Sequence, residues 1–163
     1  MKQVRQDTTK THTFKQSPPA LLMRALWLLL CGRVHFPINH VGQVKQEEEE
    51  FVVFRQAIVG PLKVQQQGPG AILKVQFSFK SFSLKWNKIL SLIPIPFIIA
   101  QRGFRSKTWL YGKDTGVFQG LYEWDRDKDA RNYESSFPMQ LMKKRAIPES
   151  LVFEICSSED FVE

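Results

Sequence analysis

Two neighbouring segments, residues 104–111 (FRSKTWLY) and 117–124 (VFQGLYEW), concentrate side chains that could take part in chemistry. Cations and aromatic rings recur along them at every second position: Arg105, Lys107, Trp109, Tyr122 and Trp124. Residues two apart in a β-strand point to the same face of its sheet. The rings could therefore stack against a flat apolar ligand, while Arg105 or Lys107 stabilises negative charge that develops on it in a dry site. Gln76, on the preceding strand, could orient such a ligand.

A plainer interpretation of the same residues stays open. The rings could form the core of a subunit interface, and the cations could be solvated strand ends. Both interpretations require the same alternation, and a single bulge in either strand would reverse the face to which every one of these side chains points.

No catalytic or metal-binding motif accompanies these residues. The sequence contains no GxSxG, HExxH, P-loop or GxGxxG motif in the required context. Its three histidines, His12, His35 and His40, lie near the N-terminus, and its two cysteines, Cys31 and Cys156, form no CxxC pair. The sequence therefore predicts neither a metal site nor a cofactor, and it favours a reducing, cytoplasmic setting.

The pattern of apolar residues from position 71 onward predicts a regular succession of elements. They are a strand (72–80), a helix (83–93), a hairpin (104–124), a helix divided at Pro138 and a last strand (151–155). Pro94 and Pro96 must end or bend the first helix because proline lacks the amide donor that a helix needs. The succession predicts an α+β fold with a ferredoxin-like βαββαβ antiparallel sheet and both helices on one face.

The alternation also predicts which side chains the helices cover. On the first strand they are expected to cover Leu73, Val75, Phe77 and Phe79. The opposite face is expected to carry Lys74 and Gln76, together with the cations and rings of the hairpin. So much aromatic area is too large to leave in water, so a second subunit or a bound ligand should cover it.

Charge is distributed unevenly along the chain. Residues 1–45 contain seven basic residues and one acidic residue, so they carry +6 of the net charge of +7. We interpret the chain as a disordered basic tail (1–18), an N-terminal extension (19–60), a linker (61–70), the main domain (71–156) and an acidic tail (157–163). The extension is expected to hold a short apolar helix and a hairpin of residues 34–46 and 51–59, with Glu47–Glu50 as its solvated tip.

Residues 20–31 (ALLMRALWLLLC) form an apolar run that only Arg24 interrupts. The run is shorter than the roughly 20 residues that a membrane-spanning helix needs. It predicts either a helix that packs on the domain or on a partner, or an anchor that attaches the protein peripherally to a membrane. A signal peptide is disfavoured by Arg24 and by the lack of a cleavage site. Nucleic-acid binding is disfavoured because the basic triplet Lys143–Arg145 has no interleaved aromatic residues.

Residues 73–155, roughly half of the chain, resemble the dimeric α/β-barrel superfamily, and within it the antibiotic-biosynthesis-monooxygenase and YdhR-type branch. The similarity is carried by the FRSKTW and GVFQGLYEWD strands and by Asp129-Ala130 in the helix that follows. The resemblance implies a homodimer whose two sheets form a barrel, with a mostly apolar pocket between each sheet and its helices. Members of the superfamily include cofactor-independent oxygenases of aromatic substrates, haem-degrading enzymes, isomerases and proteins without an established activity.

Two functions follow as hypotheses. The first is a monooxygenase-like oxidoreductase without a cofactor, acting on an apolar aromatic substrate. Its catalytic residues would be Arg105 and Lys107, and its substrate-binding residues Gln76, Trp109, Tyr122 and Trp124. The second is a non-enzymatic ligand-binding or interaction module that residues 20–33 attach to a membrane. Haem degradation is disfavoured because the histidine that the family places on a helix is missing.

Overall fold

One antiparallel β-sheet organises the computed structural model, which describes residues 17–47, 49–61 and 68–157. The strands are β1 (Val34–His35), β2 (Val44–Gln46), β3 (Glu50–Val59), β4 (Ala71–Phe77), β5 (Phe104–Gly112), β6 (Phe118–Trp124) and β7 (Val152–Ser157). The helices are α1 (Pro18–Leu30), α2 (Leu84–Leu90), α3 (Ile95–Ile99), α4 (Asp127–Glu134) and α5 (Phe137–Arg145), with a 3-10 turn at Pro148–Ser150. The predicted α+β class with an antiparallel sheet is confirmed.

The strands lie in the order β1-β3-β5-β6-β4-β7, with β2 paired to the outer part of β3. Prolines set the helix boundaries as predicted. The first predicted helix is interrupted between Leu90 and Ile95, and Pro138 lies in the first turn of α5. The residue before α4 is Arg126, whose side chain forms no capping hydrogen bond. Its guanidinium instead binds the buried carboxylate of Asp129 at 2.9 Å.

The N-terminal part of the chain shares this sheet and its core. β3 pairs with β5 from Phe51 opposite Gly112 to Ile58 opposite Ser106, so it extends the sheet formed by the later strands. Helix α1 contacts α3, and Leu21 and Ala25 belong to the main apolar core.

The hairpin that we expected in the N-terminal part is present as β2 and β3. Residues 1–16, 62–67 and 158–163, which include most of the predicted tails and linker, lie outside the described residues. The basic tail was predicted to reach residue 18, but α1 already begins at Pro18.

The pairing of the strands corrects the predicted faces of the hairpin. Residues directly opposite each other in an antiparallel sheet point to the same face. Leu73 lies opposite Tyr122, and Ala71 lies opposite Trp124, so both rings share the face that the helices cover. Lys107 also lies opposite Tyr122 and therefore points to the same side. Large rings bury more apolar surface under helices than on an open face, and this determines the phase of the strand.

The opposite face of the sheet is largely polar instead of aromatic. Glu47, just after β2, binds Lys74 at 2.5 Å and Gln119 at 3.0 Å, and Gln119 accepts a hydrogen bond from Gln76 at 2.6 Å. A small apolar cluster of Phe51, Val53, Leu110 and Leu121 lies beside this network. Glu47 lies in the connection between β2 and β3 and is exposed, as expected for a solvated tip, while its carboxylate also binds Lys74 and Gln119 on the open face of the sheet.

Candidate functional site

A cavity of about 220 Å³ lies between the helix-covered face of the sheet and the helices. Its walls are mainly apolar and include Phe77, Phe79, Ile98, Trp109, Phe118, Leu141 and Met142. Pro94 and Pro138 also line it. These are the prolines that interrupt the helical segments, so the cavity lies where the helices are broken.

Gly120 forms part of the floor of the cavity. It lies opposite Trp109 in the sheet. A methyl group in place of its hydrogen would come within 2.8 Å of the Tyr122 ring and 3.3 Å of Lys107 Cε. The absence of a side chain at this position therefore leaves room for the Lys107 and Tyr122 side chains beside the cavity.

Lys107 is the most unusual polar group of the site, because its side chain is 6% exposed and lines an apolar space. Its Nζ–H donates a hydrogen bond to Tyr122 Oη at 2.6 Å, and Nζ lies 4.4 Å from the centre of the Trp109 ring. Among the residues that the structure describes, no carboxylate forms a salt bridge with it. Burial lowers the pKa of Lys107 well below its ordinary value, and the positive charge of Arg55 lowers it further.

The phenol side chains of Tyr122 and Tyr133 line the cavity together with Lys107. Tyr122 and Tyr133 lie side by side, with ring centres 5.0 Å apart. Burial raises the pKa of both phenols, because the phenolate form would lose its hydration. Both therefore keep their protons at neutral pH and are available as hydrogen-bond donors.

Two arginine side chains, Arg145 and Arg55, lie at the cavity or beside it. Arg145 lines it, with its guanidinium 4.6 Å from the centre of the Phe79 ring and hydrogen-bonded to Asn87 Oδ1 at 3.0 Å. Arg55 lies over the Trp109 ring and donates hydrogen bonds to Ser91 Oγ and Lys88 O. No aspartate or glutamate is among the lining residues that the structure describes. The site is therefore suited to an uncharged or anionic ligand.

The structure brings together half of the six residues that the sequence singled out. Lys107, Trp109 and Tyr122 line the cavity. Trp124 is fully buried and stacks beside Tyr133, with ring centres 5.0 Å apart, but it does not reach the cavity.

The other two predicted residues lie elsewhere. Gln76 is on the opposite face of the sheet, bound to Gln119. Arg105 lies at an irregularity in β5, where its guanidinium is 3.4 Å from Gly68 O and 3.8 Å from Asp125 Oδ1. The alternation of residue types in the sequence cannot predict a bulge. Because of this bulge, the side chain of Arg105 does not point to the same side of the sheet as that of Lys107.

Sequence reasoning missed Tyr133, Arg145 and Arg55 as parts of the site. Tyr133 is buried in α4 together with Ala130, three residues before it, and this helical spacing of apolar residues was the signal that could have placed it near the sheet. Arg55 reaches the site only because β3 joins the sheet next to β5.

No protein-family model, curated protein or solved structure matches this chain. The resemblance to the dimeric α/β-barrel superfamily therefore stays a prediction from the sequence. The chemistry of the site has to be argued from the geometry of its own residues.

Helix α1 presents a second feature, an exposed apolar side. Leu21, Ala25 and Leu28 are buried, whereas the other apolar side chains of the helix are exposed: Leu22, Met23, Leu26, Trp27, Leu29 and Leu30. Among the described residues, no helix has both the length and the apolarity that crossing a membrane requires. The exposed side of α1 is hereafter called the α1 surface.

Proposed function

We propose that this chain binds an apolar, flat small molecule in the cavity between its sheet and its helices. The observation that carries the proposal is the Lys107 amine, which is buried beside two phenols in one wall of a mainly apolar space. A few polar groups that converge in an apolar pocket are typical of ligand sites. A buried amine without a carboxylate partner lowers the stability of a fold, which argues for a role other than stability.

We also propose that residues 71–157 form a ferredoxin-like unit of the kind that the dimeric α/β-barrel superfamily contains. Support comes from the order β5-β6-β4-β7 within the larger sheet. Helices α2 and α3 connect β4 to β5, and helices α4 and α5 connect β6 to β7. A pocket between the sheet and its helices is also where this superfamily is expected to bind ligands.

The reaction that we propose is a monooxygenation without a cofactor. The neutral Lys107 amine takes a proton from an acidic phenol or enol of the substrate, and the ammonium that forms stabilises the anion. Trp109 and Tyr122 contact the substrate ring. In total the substrate loses two hydrogens and gives four electrons to dioxygen: one oxygen atom enters the product, and the other leaves as water with the two hydrogens.

Oxygen uptake with a panel of anthrone-like and quinol compounds tests this reaction. We expect consumption of dioxygen by the full-length protein and a loss of about 10²-fold or more in the Lys107→Met variant. Lys85→Met, which removes an exposed amine on α2, is the matched control and should keep the activity. If no compound causes oxygen uptake but native mass spectrometry shows a bound apolar ligand, the monooxygenase reaction is excluded and the ligand-binding proposal stands.

The α1 surface favours a second candidate function, a ligand-binding module attached peripherally to a membrane. Trp27 is 54% exposed among exposed leucines, and Arg24 lies on the same helix. Apolar side chains beside basic residues are suited to the interface of an anionic bilayer, where a long cationic side chain can reach the head groups.

Vesicle sedimentation tests this attachment. The protein should sediment with vesicles that contain phosphatidylserine, and Trp27→Glu should abolish sedimentation. Trp86→Glu, at a similarly exposed position on α2, should not. Equal sedimentation of both variants would exclude the α1 surface as the attachment site.

A homodimer remains part of the proposal, but its original reason no longer applies because the large rings lie under the helices. Its support is now the apolar side chains on the open face of the sheet, including half-buried Ile58 and Ile72 and exposed Val152. Light scattering of the full-length protein should give twice the mass of one chain. The Ile72→Glu variant should have the mass of a single chain. If the unmodified protein has the mass of a single chain, the homodimer is excluded.

A further inference from the structure

The Lys107 side chain brings a nucleophilic atom to the wall of an apolar cavity. Its Nζ lies 4.4 Å from the centre of the Trp109 ring and 4.2 Å from that of Tyr122. Among the described residues, the only hydrogen bond that the amine forms is to Tyr122 Oη, at 2.6 Å. An amine held among rings in this way is directed at whatever occupies the cavity.

The protonation state of Lys107 favours covalent chemistry. A lysine attacks a carbonyl carbon only through the lone pair of its neutral form. Burial and the nearby charge of Arg55 lower the pKa of Lys107, so its neutral form is populated at a pH where exposed lysines are ammonium ions.

The neighbouring phenols supply the proton transfers that imine formation needs. Attack by the amine forms a C–N bond, and the carbonyl oxygen must then gain a proton. The resulting carbinolamine loses its hydroxyl as water only after that hydroxyl is protonated. Tyr122 accepts a hydrogen bond from Lys107, and the Tyr133 ring lies beside that of Tyr122 with ring centres 5.0 Å apart, so two protonated phenols lie close to the amine and can supply and take up protons.

We propose that Lys107 forms an imine with an apolar aldehyde or ketone bound in this cavity, with Tyr122 and Tyr133 transferring the protons. The reaction joins the amine and the carbonyl compound and releases one water, without any change of oxidation state. It rests on the small-molecule binding proposed above and specifies the ligand as a carbonyl compound. The volume of about 220 Å³ restricts this ligand to one or two rings or a short chain.

Reductive trapping tests the imine. Full-length protein is incubated near neutral pH with 2-naphthaldehyde and sodium cyanoborohydride, which reduces an imine to a stable amine. We expect one adduct per chain, mapped to Lys107 by peptide mass spectrometry and formed at least about tenfold faster than adducts on other lysines. Lys107→Met should lose this adduct, and Lys85→Met should keep it.

The role of the phenols is tested separately. Tyr122→Phe keeps the ring but removes the hydroxyl, so trapping should slow by about 10²-fold. Its pH profile should also change, whereas binding of 2-methylnaphthalene, an analogue without a carbonyl, should not. Unchanged trapping kinetics in Tyr122→Phe would overturn the proton-transfer role.

Two results separate failure of the imine from failure of the binding site. If adducts form only on exposed lysines while 2-methylnaphthalene still binds, the imine is wrong and the binding proposal stands. If the analogue does not bind either, both proposals fall. Circular dichroism of Lys107→Met ensures that a lost adduct does not reflect an unfolded variant.

Discussion

At the scale of single residues, Lys107 is where stability and the proposed function oppose each other. A buried ammonium loses its hydration, and here no carboxylate compensates it among the described residues. Burial lowers the pKa of the amine and so favours its neutral form, which costs free energy at pH values where the unfolded chain would be protonated. The same burial that lowers the stability of the fold increases the fraction of neutral amine, which is the reactive form.

Replacing Lys107 by methionine should stabilise the protein. Methionine has a similar length and no charge, so it fills the same apolar space without the penalty of burying an amine. We expect the free energy of unfolding at neutral pH to rise by about 1–3 kcal/mol. Urea denaturation measures this change, and a lower midpoint than that of the unmodified protein would contradict it.

The same residue predicts how stability depends on pH. The pKa of Lys107 is lowered in the folded protein, so between that value and about 10.4 the unfolded chain binds a proton that the folded protein does not. Stability should therefore rise with pH through this interval, with a Lys107 contribution of at most about 1.4 kcal/mol per pH unit. Denaturation should be compared below pH of about 9.5, because Tyr122 and Tyr133, whose pKa values are raised, oppose the trend once unfolded tyrosines ionise near pH 10. In Lys107→Met this contribution should be absent, and equal slopes would show that Lys107 is not neutral.

Gly120 sets how much space the cavity offers. The methyl group of Gly120→Ala would lie 2.8 Å from the Tyr122 ring, so the Lys107 and Tyr122 side chains must shift into the cavity. We expect affinity for 2-methylnaphthalene to fall by about tenfold, since misplaced walls lose contact with the ligand. Isothermal titration measures the affinity, and an unchanged value would place the ligand elsewhere.

At the scale of elements, the sequence predicted which segments are helices and strands because these depend on local chemistry. The prolines before α3 and in the first turn of α5 interrupt the helical segments wherever those segments pack. The alternation of residues 72–80 likewise predicted β4, which begins at Ala71 and ends at Phe77, three residues earlier than predicted. The face to which β5 and β6 point was not predictable, because it depends on which strand lies beside which.

The start of β5 provides a prediction about element packing. Gly103 has a φ of +72°, and an added Cβ would lie 2.4 Å from Oδ2 of Asp129, which Arg126 holds in place. Gly116 has a φ of +69° with open space around it, so Gly116→Ala is the matched control for the backbone cost alone. We expect Gly103→Ala to lower the free energy of unfolding by about 1–3 kcal/mol more than Gly116→Ala. Equal losses in urea denaturation would contradict a close approach of α4.

At the scale of the whole molecule, residues that the sequence assigned to an extension complete the sheet. β3 lies beside β5 although the two are about fifty residues apart in the chain, and α1 adds Leu21 to the main core. Arg55, on β3, then lies near Lys107 and lowers its pKa. The environment of the candidate site therefore depends on both halves of the chain.

Helix α1 should accordingly contribute to global stability. Leu21 is 2% exposed and Leu22 is 44% exposed, so the pair separates core packing from surface effects on one helix. Leu21→Ala should lower the free energy of unfolding by about 2–5 kcal/mol, whereas Leu22→Ala should change it by less than about 1 kcal/mol. A single thermal transition that shifts with Leu21→Ala would show one cooperative unit, and an unshifted transition would show that α1 is not part of it.

The sequence by itself determined the elements, their order, the α+β class and three of the residues that line the cavity. These follow from alternation and from proline chemistry, which act over a few neighbouring residues. Only the tertiary structure decided that the rings lie under the helices, that Arg105 leaves the series at a bulge, and that β3 brings Arg55 to Lys107. The physical reason is that strand phase and strand neighbours are set by which arrangement buries the largest apolar surface, a property of the whole sheet and not of any one segment.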